Sequence, residues 1–229
     1  MRAFFYTSGA VENDSVFLDR DEHNHLFKIL RARTGEKVLL LDGKGKKMTA
    51  EIQDDKSLKI LAVESCSRPE AQIYVFMAAP RKQKLDSLLK QCCELGVAGI
   101  VIMQCDFSVA VPDNSGRWRE LLEEGCKQSN NPFLPEITGA VKFKQALELV
   151  RENQMLGTFG AIREDEGDKA RLKNVRKLAF FVGPEGGFSP AEIAMLEDEN
   201  FVGISLSPYI LRLETAVAGA IPLLREFMK

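Results

Sequence analysis

Two short stretches hold the residue types that could do chemistry. The first is Gly183-Pro184-Glu185-Gly186-Gly187-Phe188-Ser189, directly after the apolar run Leu178–Val182. Three glycines in five residues let a backbone approach a ligand closely. Ser189 and Glu192 have capping-box spacing and Pro190 sits at the first helical position, so a helix starts at once over Ser189–Glu199. Strand, glycine loop and helix together form the unit that binds ligands at the carboxyl end of an open α/β sheet. The ligand is not a phosphate. The Gly-Lys-Ser/Thr ending of a P-loop and the G-x-G-x-x-G pattern are both missing, and Glu185 would repel an anion. A cation or a hydroxyl-rich ligand suits the loop; a tight Gly-Pro turn without a ligand is the alternative. The second stretch is Ser205-Leu206-Ser207-Pro208-Tyr209-Ile210-Leu211-Arg212-Leu213-Glu214, at the end of the apolar run Phe201–Leu206. Arg212 and Glu214 fall at a loop–helix junction, where side chains can point over the sheet's carboxyl edge. A surface arginine and a glutamate that complements the helix dipole would look the same.

The elements that must position these residues follow from periodicity. Residues 1–70 read as a small β-rich domain. Its apolar runs Ala3–Tyr6, Val38–Leu41 and Leu58–Val63 are separated by turns such as Asp42-Gly43-Lys44-Gly45, with one short helix near His23–Arg33. Pro69 marks a break. Residues 71–229 alternate strand and helix: strands Ile73–Ala79, Gly99–Met103 and Leu178–Val182, and helices Lys82–Glu94, Arg117–Gln128 and Lys142–Asn153. This predicts an α/β domain with a mostly parallel sheet covered on both faces. In the first of these helices Leu85, Leu88, Leu89, Cys92 and Cys93 form one stripe, and Gly96 is its stop. The final helix, Leu213–Met228, carries Leu213, Val217, Ala220, Leu224 and Phe227 at helical spacing, a stripe for the core or for a subunit interface. Pro222 inside it predicts a kink.

Composition narrows the class. The net charge of −2 excludes a globally basic nucleic-acid coat. A local excess remains between residues 28 and 47, with seven cations against two acids, which suits an RNA contact or a solvated face. The longest apolar run is far below the ~18 residues of a membrane helix, and the first residues do not read as a signal peptide. Five cysteines without Cys-x-x-Cys spacing, and only two histidines, point to no metal site and to a reducing cytoplasm.

These stretches resemble the bacterial 16S ribosomal RNA uridine N3-methyltransferases of the SPOUT class. Gly183–Ser189 and Ile210–Ala216 carry the resemblance. Met1–Phe5, His23-Asn24-His25-Leu26-Phe27-Lys28-Ile29-Leu30-Arg31, Glu94-Leu95-Gly96-Val97 and Gln128-Ser129 extend it along the chain. It implies a PUA-like RNA-binding domain over 1–70 and a methyltransferase domain over 71–229 with a trefoil knot. It implies a homodimer acting on ribosomal RNA in the small ribosomal subunit, with S-adenosyl-L-methionine as cofactor. By the same resemblance the cofactor is held by Gly183, Pro184, Glu185, Gly186, Gly187, Leu206, Ser207, Ile210 and Leu211. RNA is held by Arg2, His25, Lys28, Arg31 and Arg33, and Arg212 and Glu214 are catalytic. The chain departs from the family pattern at Ser207, where a glycine is usual, and at Tyr209, Asn130 and Asn131, where cations are usual. Cys105-Asp106-Phe107-Ser108-Val109 replaces the usual Glu-Arg-Ser stretch. Two alternatives stay open: the same chemistry on another RNA or base atom, and an RNA-binding assembly factor without activity.

Overall fold

The computed structural model describes residues 1–6, 11–12, 14–80, 82–108, 116–161 and 166–229. Two compact units emerge, one of Met1–Arg68 with Leu122–Leu134, the other of Pro69–Leu121 with Pro135–Lys229.

The first unit is a mixed six-stranded sheet. Strands β1 (Arg2–Phe5), β2 (Val11–Glu12), β3 (Ser15–Val16), β4 (Lys37–Leu41), β5 (Lys46–Ile52) and β6 (Leu58–Ser65) lie in the order β1-β4-β5-β6-β3-β2. Only β1 and β4 run parallel. Strand β5 has no apolar run and goes unread in the sequence, yet its alternation buries Met48, Ala50 and Ile52. Helix α1 spans Arg20–Asn24 and passes into a π-helical turn over His25–Ile29. The sequence places this helix three residues late, because its N-cap is Asp19, whose carboxylate accepts from the amides of Asp21 and Glu22. It cannot reach Arg33, since Arg31 has φ +51°. Leu122–Leu134, which the sequence pattern groups with residues 71–229, joins this unit through Phe133, which bridges to Lys44 and packs on Gly45.

The second unit holds β7 (Gln72–Ala78), α2 (Lys82–Glu94), β8 (Gly99–Gln104), β9 (Glu136–Lys142), α4 (Phe143–Glu152), β10 (Leu156–Gly160), β11 (Lys177–Val182), α5 (Pro190–Asp198), β12 (Val202–Ile204) and α6 (Leu213–Phe227). Helix α3 (Arg117–Ser129) begins in it. The strands are all parallel, in the order β12-β10-β11-β7-β8-β9. Both faces are covered, as the apolar strands require. On one face Phe76 and Ala78 of β7 join Phe143, Ala146, Leu147 and Val150 of α4 and Leu196 of α5. On the other, Ile73, Val75 and Met77 are equally buried, and α6 packs on β7, β11 and α2. The stripes of α2 and α6 are buried as their periodicity predicts, Phe227 alone being partly exposed. Gly96 ends α2 at φ +65°, with the Val97 amide donating to the Cys92 carbonyl and the Gly96 amide to that of Cys93. Strands β9 and β10 escape the sequence pattern. The first is half-exposed; the second contains Gly157, where a methyl group would lie 2.4 Å from the Phe201 ring.

Candidate active site at the carboxyl edge of the parallel sheet

Strand order decides where a ligand goes. The connection from β7 leads to β8 on one side, and the connection from β11 leads past β10 to β12 on the other. The neighbours β7 and β11 therefore flank the crevice that such a reversal opens at their carboxyl ends. Both chemistry-bearing loops leave this edge, 183–189 after β11 and 205–212 after β12.

The glycine loop is held by its far end. Phe188 packs edge-on against Phe143 at 5.7 Å, and Phe143 meets Phe181, which stacks on Phe76 at 4.6 Å. Gly187 turns the chain with φ +77°, its amide donating to the Pro184 carbonyl at 2.8 Å. At Gly183 a methyl group would sit 3.2 Å from the Gly187 carbonyl carbon and the Phe188 nitrogen, so the loop closes on itself there. The expected capping box is present: Ser189 Oγ accepts from the Glu192 amide and Glu192 Oε2 from the Ser189 amide. Glu192, only 1% exposed, does more than cap. Its Oε1 accepts from the Asp106 amide at 2.9 Å, and Ser189 Oγ donates to Asp106 Oδ2 at 2.5 Å. The loop after β8 is thus fastened to the glycine loop. Burial first, then the Glu192 carboxylate, pushes the neighbouring Cys105 thiol up to about 12, so it is no nucleophile at neutral pH.

In the second loop Ser207 Oγ accepts from the Tyr209 amide at 3.1 Å, a local turn that glycine could not make. Leu206, Ser207 and Leu211 are half-buried, whereas Tyr209 and Ile210 are 80% and 83% exposed. Arg212 is the N-cap residue of α6 and exposed; its guanidinium makes no hydrogen bond or ion pair with a described residue. Glu214 sits in the first turn. The structure joins the two loops through a residue that the sequence pattern does not single out. Lys84, from the first turn of α2 after β7, lies 3.5 Å from Glu185 and 4.0 Å from Glu214. Its only sequence signal is the basic run Arg81-Lys82-Gln83-Lys84 just past a strand's carboxyl end.

These residues fit S-adenosylmethionine. Phe107, half-exposed, lies against Gly186 and offers apolar surface to an adenine ring. The loop backbone can approach the ligand, and the carboxylates suit its sulfonium and ammonium charges. Among the described residues no group of three or more His, Cys, Asp and Glu could hold a metal ion.

The residues expected to meet RNA lie in the first unit, where Arg2 Nη1 donates to the Leu30 carbonyl at 3.3 Å. His25, Lys28, Arg31 and Arg33 are all exposed, and His25 meets the Phe4 ring edge-on at 6.2 Å. The unusual Asn130 and Asn131 have a local reason. Asn130, at φ +55°, ends α3, and Asn131 caps the turn by accepting from the Phe133 amide. Asp106 and Ser108 hold the loop after β8, the latter accepting from the Cys105 amide; Val109 lies outside the described residues.

The RNA methyltransferase domain family pattern matches residues 67–225, well over half of the chain. The chain belongs to that family. The RNA methyltransferase PUA domain matches residues 18–63, within the first unit. This methyltransferase is 27% identical to Ribosomal RNA small subunit methyltransferase E of Mycobacterium bovis, over 95% of this chain and 88% of that one. It is 29% identical to the protein of the same name from Aquifex aeolicus, over 79% and 80%. The crystal structure of a Ribosomal RNA small subunit methyltransferase E from Neisseria gonorrhoeae bound to S-adenosyl methionine shares the fold. Its TM-score is 0.85 at 24% identity, covering all of this chain and 98% of that one.

Proposed function

We propose that this chain transfers a methyl group from S-adenosylmethionine to N3 of a uridine in small-subunit ribosomal RNA. The observation that carries the reading is the meeting of the glycine loop and the Arg212 loop at the β7–β11 crevice, in a family member similar over nearly its whole length to named small-subunit methyltransferases. Gly183–Gly187, Leu206, Ser207, Ile210 and Leu211 would hold the cofactor, which supplies an electrophilic methyl group when bound.

The chain's own residues do the rest. N3 of uridine carries a proton and is hidden in a paired stack, so the base must be single-stranded or flipped out. The N3 proton leaves to water as negative charge spreads over O2 and O4. Arg212, whose guanidinium has no other partner among the described residues, stabilises that charge. The loops hold N3 and the methyl group in line, which accounts for much of the acceleration. Arg2, His25, Lys28, Arg31 and Arg33 take the RNA backbone in the PUA-like domain of residues 1–70, the SPOUT domain with its knot being residues 71–229. Changing Lys28, Arg31 and Arg33 together to Gln lowers the slope of log affinity against log salt by about two to three, at roughly 0.7–0.9 per phosphate contact. Filter binding to a ribosomal RNA fragment from 50 to 300 mM salt, a range of order set by counterion release, reads this.

The reading extends to a homodimer, to which the exposed Tyr209 and Ile210 are suited. It extends to the cytoplasm: all five cysteines are free thiols, and no helix among the described residues is long and apolar enough to cross a membrane. The test is nucleoside mass spectrometry of ribosomal RNA from cells lacking the protein. N3-methyluridine disappears and returns with the wild-type chain. Loss of a different methylated nucleoside would move the substrate, and no change at all would leave an RNA-binding factor.

A further inference from the structure

We infer that Lys84 is a positioning residue that keeps Arg212 available by occupying the two carboxylates that would otherwise capture it. This rests on the functional reading above and adds a residue to it. Three segments bring charge to the carboxyl edge of the sheet: Lys84 from α2, Glu185 from the glycine loop, and Arg212 and Glu214 at the start of α6. Opposite charges a few ångströms apart pair unless another ion is closer. Glu214 stands two residues from Arg212 across the start of α6. In spite of that proximity the Glu214 carboxylate faces Lys84 at 4.0 Å, and Glu185 faces it at 3.5 Å, while the Arg212 guanidinium has no ion-pair partner among the described residues. One ammonium thus serves two carboxylates from two different loops. A lysine suits the task, being a compact point charge with three rotatable donors, where an arginine fork would lock onto one carboxylate.

The glycine loop does not depend on Lys84 for its shape, since Ser189, Glu192 and Asp106 fasten it independently. Removing the ammonium therefore leaves the loops in place and turns Glu214 and Glu185 toward Arg212. The consequence falls on turnover.

The experiment compares wild type, Lys84→Met, Lys84→Arg, Glu214→Gln and the Lys84→Met/Glu214→Gln double variant, each checked for an unchanged melting temperature. Two readouts are taken: single-turnover methylation of small-subunit particles, and the rate at which phenylglyoxal modifies Arg212 in the free protein, followed by peptide mass spectrometry. Lys84→Met lowers kcat about two- to fivefold, the size expected of a half-exposed ion pair redirected. It slows Arg212 modification by a similar factor. Lys84→Arg keeps most of the rate. The double variant regains part of the rate that Lys84→Met loses, because one of the two capturing carboxylates is gone. Arg212 modification at the wild-type rate in Lys84→Met, or losses that multiply in the double variant, would overturn the inference. A wild-type chain that methylates no ribosomal particle would instead overturn the functional reading. The modification rates still decide the Lys84–Arg212 relation in that case.

Discussion

Replacing Arg212 by alanine lowers the rate of methyl transfer about 10²–10³-fold, the loss of one preorganised charge donor, or about 2.7–4 kcal/mol of transition-state stabilisation. The expectation follows from what the side chain does not do. Arg212 supports α6 with its backbone, its carbonyl accepting from the Ala216 amide at 2.8 Å, while the guanidinium makes no hydrogen bond or ion pair with a described residue. Truncation therefore leaves stability and cofactor binding as they are and removes only the charge that meets the uridine anion. Because that charge develops in the transition state, kcat and kcat/KM for RNA fall together. Arg212→Lys keeps the charge but not the planar fork that spans two carbonyl oxygens, and it recovers about one order of magnitude. Single-turnover methylation of small-subunit particles with saturating methyl donor measures both. An Arg212→Ala chain with full turnover would remove the residue from the mechanism.

Much of this site can be read directly from the residues, and the reason is local chemistry. The Ser189–Glu192 box, Pro190 between them and the glycines before them are nearest-neighbour effects, and the structure has them where the spacing puts them. The stripes of α2 and α6 are equally local. What stays hidden depends on contacts far apart in sequence. Lys84 meets Glu185 and Glu214 only because β7 and β11 are neighbours in the sheet. Asp106 reaches Ser189 across 83 positions. Phe133 seats on Gly45 and so draws Leu122–Leu134 into the first unit, which no break in composition announces. Strand β5 hides for the opposite reason: Lys46-Lys47-Met48-Thr49-Ala50-Glu51-Ile52 alternates, but its buried residues are too few and too small to form a run. The cations missing from the family pattern at Asn130 and Asn131 read as lost RNA contacts in sequence; in the structure those positions end a helix.

Replacing Glu192 by alanine destabilises the second unit by about 3 kcal/mol, since one buried and one partly buried amide donor lose their acceptor at roughly 1–3 kcal/mol each. For a chain of this size that is a fall of about 10 °C in melting temperature, at about 2–4 °C per kcal/mol. The donors are the Ser189 amide, at 2.8 Å, and the Asp106 amide, at 2.9 Å, on two different loops. The Asp106 carboxylate keeps its bond from Ser189 Oγ, so the loops stay in contact but lose the group that set their register. Ser189→Ala removes the cap and the bond to Asp106 together and costs about 2 kcal/mol, about 1 for an N-cap hydroxyl and about 1 for the lost hydrogen bond. Glu192→Gln separates charge from shape: its amide offers one acceptor oxygen and turns an N–H toward the second donor, so it recovers about half of the loss. The functional effect goes beyond stability. Gly183–Gly187 precede Ser189 without a break, and Phe107, which lies against Gly186, follows Asp106 directly. Loosening Glu192 therefore frees both the glycine loop and Phe107, the two segments proposed to hold the cofactor, and S-adenosylmethionine affinity falls even at temperatures where the variant is fully folded. Calorimetry of unfolding and of cofactor binding on the same sample separates the two effects. A variant that loses stability but binds the cofactor as wild type does would confine Glu192 to the core.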